Sequence, residues 1–224
     1  AVLVISGTDG VQGHTETLWK LLKLYDIPTF IFINKMDQQG TDKVALLSEL
    51  KERLDEGCIA FDQEECTETL EELAMTDEKV LDYFMEHESI RKEDICRLIK
   101  ERRVFPCYFG SALKLEGVQE LLCGFERYME PYTGTEEFGA KVFKISRDDK
   151  GERLTFLKVT GGKLVVKMPV NLVDKEEKVN QIRIYSGAKY ETVSEVEAGG
   201  VCAVTGLVSS YIGQGFGVEK GTAA

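Results

Sequence analysis

The sequence predicts two kinds of structure in one chain: an α/β unit built on a parallel sheet with a helical insertion, then an all-β barrel. Three observations carry that reading. Apolar runs of strand length alternate with helix-length amphipathic stretches over the first two thirds of the 224 residues. From Phe138 onward the period changes, and short strand-like runs follow one another with Gly and Asp turns between them. Two of the early apolar runs end in short polar loops, the place where open α/β sheets bind ligands.

Taken in order, residues 1–6 read as a strand and residues 15–25 as a helix with Leu18, Leu21, Leu22 and Tyr25 on one face. The chain returns as a strand over 28–33, and Thr41 or Asp42 caps a helix that carries Val44, Leu47, Leu50 and Leu54. Strand, helix, strand is a parallel crossover unit. An all-helical insertion is expected over about 67–102, followed by a strand at 104–109 and a closing helix at 117–129 with Val118, Leu121, Leu122 and Phe125 on its inner face. Pro131 ends that helix, so the first unit is placed at 1–130, with a linker at 130–135. The barrel is placed at 136–224, with strands at 141–145, 153–159, 163–166, 178–184 and 201–204. Residues 148–151 and the pair Gly161-Gly162 are the hairpin turn signals between them.

Composition narrows the class. An apolar content of 43% supplies real cores, and no stretch approaches the roughly 18 continuous apolar residues of a membrane span. No basic region followed by an apolar one opens the chain, so no secretory signal is expected. The net charge of −11 argues against nonspecific adhesion to nucleic acid, which needs clustered Lys and Arg. The acidic residues concentrated between Glu49 and Glu101 read first as a solvated helical face, and second as a partner surface. Cys58, Cys66, Cys96, Cys107, Cys123 and Cys202 show no C-x-x-C spacing, and only His14 and His87 accompany them, so no metal site is expected. Free thiols at apolar positions suit a reducing cytoplasm. Asp148, Asp149, Glu176 and Glu177 fall in expected turns and make no catalytic pair.

The strongest chemical signal is Asn34-Lys35-Met36-Asp37, directly after the apolar run 29–33. The Asp37 carboxylate can accept from two donors at once, the ring N–H and the exocyclic amine of guanine, a pair that adenine does not offer along one edge. The Asn34 amide can hold the other edge, while the aliphatic stem of Lys35 lies against the base. A polar turn after a strand is the plainer reading of the same four residues. The run 103–113 then repeats the geometry, ending in Gly110-Ser111-Ala112-Leu113, where a small hydroxyl and a backbone N–H would sit beside the first loop. Two such loops in order favour the ligand reading.

This pair resembles the fourth and fifth sequence motifs of the P-loop GTPases. The resemblance implies a guanine-binding set of Asn34, Lys35, Asp37, Ser111, Ala112 and Leu113, with GTP or GDP as ligand. No G-x-x-x-x-G-K-[S/T] occurs in the 224 residues, and the stretch from Gly7 to His14 has the wrong spacing and no Lys. The chain also opens inside a strand with no D-x-x-G before it. The expectation is a chain cut from a longer protein, with the phosphate loop, the Mg²⁺-binding Thr and the switch segment upstream, and no GTP hydrolysis by these residues alone.

A guanine-reading unit, a helical insertion and then a barrel is an order similar to the translational GTPases of the elongation factor G group. The stretch from Asn34 to Asp42, with Gly10-Val11-Gln12-Gly13, looks most like the tetracycline-resistance ribosomal protection proteins. What this implies is a cytoplasmic, ribosome-stimulated GTPase as the parent, with the barrel resting on the rRNA and proteins of the small ribosomal subunit and no membrane partner. Lys141, Lys144, Arg153, Lys158 and Lys163 face either rRNA or solvent, and the solvated side of alternating strands is the favoured reading. An exposed sheet edge at residues 1–6 implies self-association. Another elongation, release or stress GTPase and a nonenzymatic ribosome-binding module are the alternatives.

Overall fold

The computed structural model describes residues 1–61, 66–130, 134–171 and 176–219. Linker residues 131–133, including the expected helix-ending Pro131, and the last five residues of the expected barrel lie outside them. Two compact units divide the chain, Ala1–Glu130 and Pro131–Ala224.

The first unit contains β1 (Val2–Ser6), α1 (Gly13–Leu24), β2 (Phe30–Asn34), α2 (Lys43–Arg53), β3 (Cys58–Ala60), α3 (Thr67–Ala74), α4 (Glu78–His87), α5 (Lys92–Lys100), β4 (Phe105–Phe109) and α6 (Val118–Tyr128). Its four strands are parallel in the order β1-β2-β4-β3. Strand periodicity divides the two cores. Phe30 and Phe32 of β2 face one side with Leu73, Val80, Leu98 and Leu121 of the insertion and closing helices. Ile31 and Ile33 face the other side with Trp19, Leu46 and Leu50 of α1 and α2. A strand covered on both faces must be apolar throughout, and Phe30 to Ile33 are all buried.

Helix α2 begins where Asp42 accepts the backbone N–H groups of Val44 and Ala45 at 2.9 and 3.3 Å. Helix α4 begins the same way on Asp77, which also receives Arg97 and Arg103 and ties the insertion together. Three differences from the sequence expectation stand out. Strand β3 was not foreseen, because three residues are too few for a period. On α1 the inward residue is Trp19, edge-on to Phe105 at 4.6 Å between centroids, while Leu18, Leu21 and Tyr25 are exposed. On α2 and α6, Val44 and Leu122 are exposed, and Leu46 takes an inner place beside Leu50.

The second unit holds β5 (Gly139–Arg147), β6 (Arg153–Gly161), β7 (Lys163–Val165), β8 (Pro169–Asn171), β9 (Glu176–Lys178), β10 (Gln181–Ser186), β11 (Lys189–Val193), β12 (Glu195–Glu197), β13 (Val201–Thr205) and β14 (Gly215–Gly217). Six strands form an antiparallel sheet in the order β11-β10-β13-β6-β5-β14, flanked by the pairs β12-β7 and β8-β9. All these sheets contribute to one core containing Val142, Leu157, Leu164, Val170, Ile182, Val196, Val204 and Phe216, which makes the unit barrel-like. The 148–151 turn joins β5 to β6 as expected. Gly161-Gly162 does not make a hairpin. There the chain passes from β6 into β7, which pairs with β12, and Gly162 takes a left-handed φ of 50°. Glu176 and Glu177 lie in β9 rather than in a turn.

Candidate functional site

Parallel β2 and β4 are hydrogen-bonded neighbours, so their C-terminal ends deliver two loops to the same place. Backbone bonds lock the loops together. Gly110 N–H donates to the Ile33 carbonyl at 2.9 Å, and Met36 N–H donates to the Gly110 carbonyl at 3.0 Å. Lys35 adopts φ 66°, the left-handed turn that lets the chain leave β2 sharply. Thr41 Oγ1 closes the first loop by donating to the Met36 and Gln38 carbonyls at 3.0 and 2.9 Å.

The second loop folds on itself. Ser111 and Glu116 exchange backbone hydrogen bonds of 3.0 and 3.1 Å, and Gly110 is pressed against that bridge. A Cβ there would stand 2.0 Å from the Glu116 carbonyl oxygen, so the position tolerates no side chain.

The expected site residues fall into three groups. Asn34 does more than face a ligand: its Oδ1 accepts from Lys35 N–H at 2.8 Å and from Ala112 N–H at 2.9 Å, stapling one loop to the other. Only its amide nitrogen is left to donate outward. Ala112 therefore contributes its N–H to the staple. The Ser111 hydroxyl near Asp37 first, then Lys114, holds the Asp37 carboxyl below its usual range against some desolvation, and Ser111 is itself buried. Lys35 and Leu113 flank the site as exposed residues, Leu113 at 93%. Sequence reasoning missed Lys114, whose Nζ lies 3.3 Å from Asp37 Oδ2. Its place, two residues past Ala112, carries no signal until the 111–116 turn is folded. Among the described residues no group of three or more His, Cys, Asp or Glu is placed to hold a metal ion. Among the same residues no helix is long and apolar enough to cross a membrane.

A parallel sheet whose adjacent strand ends carry Asn-Lys-x-Asp and Ser-Ala defines a nucleotide-binding α/β protein of the guanine-reading class. The chain belongs to the elongation factor Tu GTP binding domain family, which matches residues 1–131. Residues 137–218 match elongation factor G domain 2. Guanine nucleotide is thus the ligand class of the first unit. The chain is 28% identical to the tetracycline resistance protein TetP of Clostridium perfringens, over 98% of this chain and 38% of that protein. It is 29% identical to TetW of Butyrivibrio fibrisolvens, over 83% of this chain and 32% of that one. A solved structure from Thermus thermophilus superposes on all of this chain and 41% of its own, with a TM-score of 0.84 and 20% identity, a likeness of fold. The chain therefore spans about a third to two fifths of the length of these proteins.

Proposed function

We propose that Asn34, Lys35, Asp37, Ser111, Ala112 and Leu113 form the base-reading half of a guanine nucleotide site. The observation that carries this is the 2.9 Å bond from Ala112 N–H to Asn34 Oδ1, which unites two loops through residues 78 positions apart in sequence at one sheet end. Asp37 accepts the ring N–H and exocyclic amine of guanine, and the Asn34 amide nitrogen donates to the opposite edge. The Lys35 stem and Leu113 cover the faces of the ring. Ser111 holds the carboxylate in position through its hydroxyl.

In the longer protein this unit serves a ribosome-stimulated GTPase of the elongation factor G group, of the tetracycline-resistance ribosomal protection type. Similarity to TetP and TetW supports that reading. Mg²⁺ and phosphate chemistry belong to segments other than these residues, and the barrel meets the small ribosomal subunit. For this chain alone the expectation is base recognition without hydrolysis, at a dissociation constant of about a millimolar or weaker, because a base without its phosphates offers few contacts. Edge strand β1 exposes Val2 and Val4, and we place self-association there. A strictly monomeric sedimentation profile at high concentration would remove that part.

The test is a titration of GDP against ADP, followed by the amide NMR signals of Asn34, Asp37 and Ala112. Shifts with GDP alone support the reading. Equal shifts with both nucleotides, or movement confined to residues away from the two loops, would refute it.

A further inference from the structure

We infer that Met36, the third residue of the Asn-Lys-Met-Asp loop, is a positioning residue for base recognition: its side chain plugs into the core beneath the loop and sets the aim of Asp37. The inference rests on the guanine reading of Asp37 and deepens it. Lys35 and Asp37 are exposed, and Met36 between them is half-buried. Its side chain packs against the core that holds Leu3, Ile5, Ile33 and Leu46. The residue of the loop that touches no base is therefore the one that ties the loop to the fold.

The ends of β1, β2 and β4 meet at this plug. From β1, Gly7 N–H donates to the Asn34 carbonyl at 2.7 Å. A Cβ on Gly7 would stand 2.9 Å from Met36 Sδ and 3.4 Å from Thr41 Cγ2, so the thioether occupies the space that the glycine leaves open. From β4, the Gly110 carbonyl accepts Met36 N–H at 3.0 Å. Thr41 Oγ1, at the far end of the loop, donates to the Met36 carbonyl at 3.0 Å. Met36 is thus fixed at its N–H, its carbonyl and its side chain. Asp37 follows one peptide later and takes its direction from that anchor. Truncating the Met36 side chain removes the contact with the core and with the end of β1, and it leaves only backbone bonds to resist a tilt of the loop. A tilt is felt most by a carboxylate that must meet two donors at once. Specificity for the exocyclic amine is lost before affinity for the ring.

The experiment titrates GDP and inosine 5′-diphosphate, whose base lacks only the exocyclic amine, into the native chain and its variants, reading the Asp37 and Ala112 amide shifts. The native chain should prefer GDP by about tenfold or more, the worth of one hydrogen bond to a charged acceptor. Met36→Ala should lower that preference about three- to fivefold, while Met36→Leu, close in volume, keeps it within about twofold of native. Thr41→Val removes the bond to the Met36 carbonyl and should lower the preference about twofold. Ile31→Val thins the same core away from the loop, and it should lower stability without moving the preference. If Met36→Ala keeps the native preference, or Ile31→Val loses it to the same degree, the inference is overturned and the guanine reading stands. Should Met36→Ala not fold, Thr41→Val decides by the same criterion. A native chain that binds both nucleotides alike would show that Asp37 does not read the amine, and the guanine reading and the inference would fall together.

Discussion

Two carboxylates in this chain each carry a basic partner at a turn, and their fates differ with burial. Asp37 meets Lys114 at 3.3 Å at the end of the parallel sheet, and Asp148 meets Arg183 at 3.0 Å on the barrel. The Lys114 side chain is 52% exposed and the Arg183 side chain 6%. Arg183 is locked from every side. Its Nη2 bonds Glu152 at 2.8 Å, its Nε bonds Gln181 at 2.6 Å, and its guanidinium lies over the ring of Tyr190. Asp148 in turn accepts the backbone N–H groups of Lys150 and Glu152, fixing the β5–β6 turn. A carboxylate–cation pair is therefore a buried brace in one unit and an exposed, weak contact in the other. A buried pair cannot part without stranding a charge, whereas an exposed one returns both partners to water.

That contrast can be broken at either end. The largest effect is expected from Arg183→Met, which leaves Asp148 and Glu152 without their shared cation. The barrel should lose about 2–3 kcal/mol, less than a fully buried pair costs because Glu152 keeps its water. Chemical denaturation followed by aromatic fluorescence of the barrel tyrosines measures it, and a loss below about 0.5 kcal/mol would place this pair with Lys114 among the dispensable ones.

Asn34→Ala comes next. It removes the acceptor for two backbone N–H groups at the loop staple and should cost about 1 kcal/mol of stability. It should also weaken GDP binding by about tenfold, since two loops no longer arrive together. Binding that survives unchanged would mean that the backbone bonds through Gly110 align the loops by themselves.

The smallest effect is a pH slope. Arg183 first, opposed by some desolvation, holds the Asp148 carboxyl below its ordinary value. A depressed carboxyl contributes stability that is fully present above the unfolded value of about 4 and is lost as pH falls through the lower folded value. Barrel stability should thus decline below about pH 4, and Arg183→Met should flatten that part of the profile. An unaltered acid limb in the variant would assign the slope to other groups.

The parallel unit was legible where local chemistry repeats. Apolar runs fully buried between two helical layers, an Asp at a helix start, and polar residues immediately after a strand all announce themselves in sequence. The α1 face was misread because Leu18, Leu21, Leu22 and Tyr25 satisfy a helical period as well as Thr15, Trp19 and Leu22 do. Only tertiary packing against Phe105 selects the second stripe. In the barrel, β7, β8, β9, β12 and β14 are three residues each, and their partners are set by contacts distant in sequence. The site itself was legible as residue types but not as roles. Asn34 proves to be a staple between the loops through its Oδ1, a role added to the proposed base contact of its amide nitrogen, and Lys114 entered only through the 111–116 turn.

The most direct test of the account is the nucleotide preference of Asp37→Asn, measured by titrating GDP and xanthosine 5′-diphosphate in parallel. An Asn amide donates to the C2 carbonyl of xanthine where the native carboxylate accepts from the amine of guanine, so the preference should invert by about tenfold or more. If the variant keeps the native order of GDP over the xanthine nucleotide, Asp37 does not read the base and the central claim is wrong.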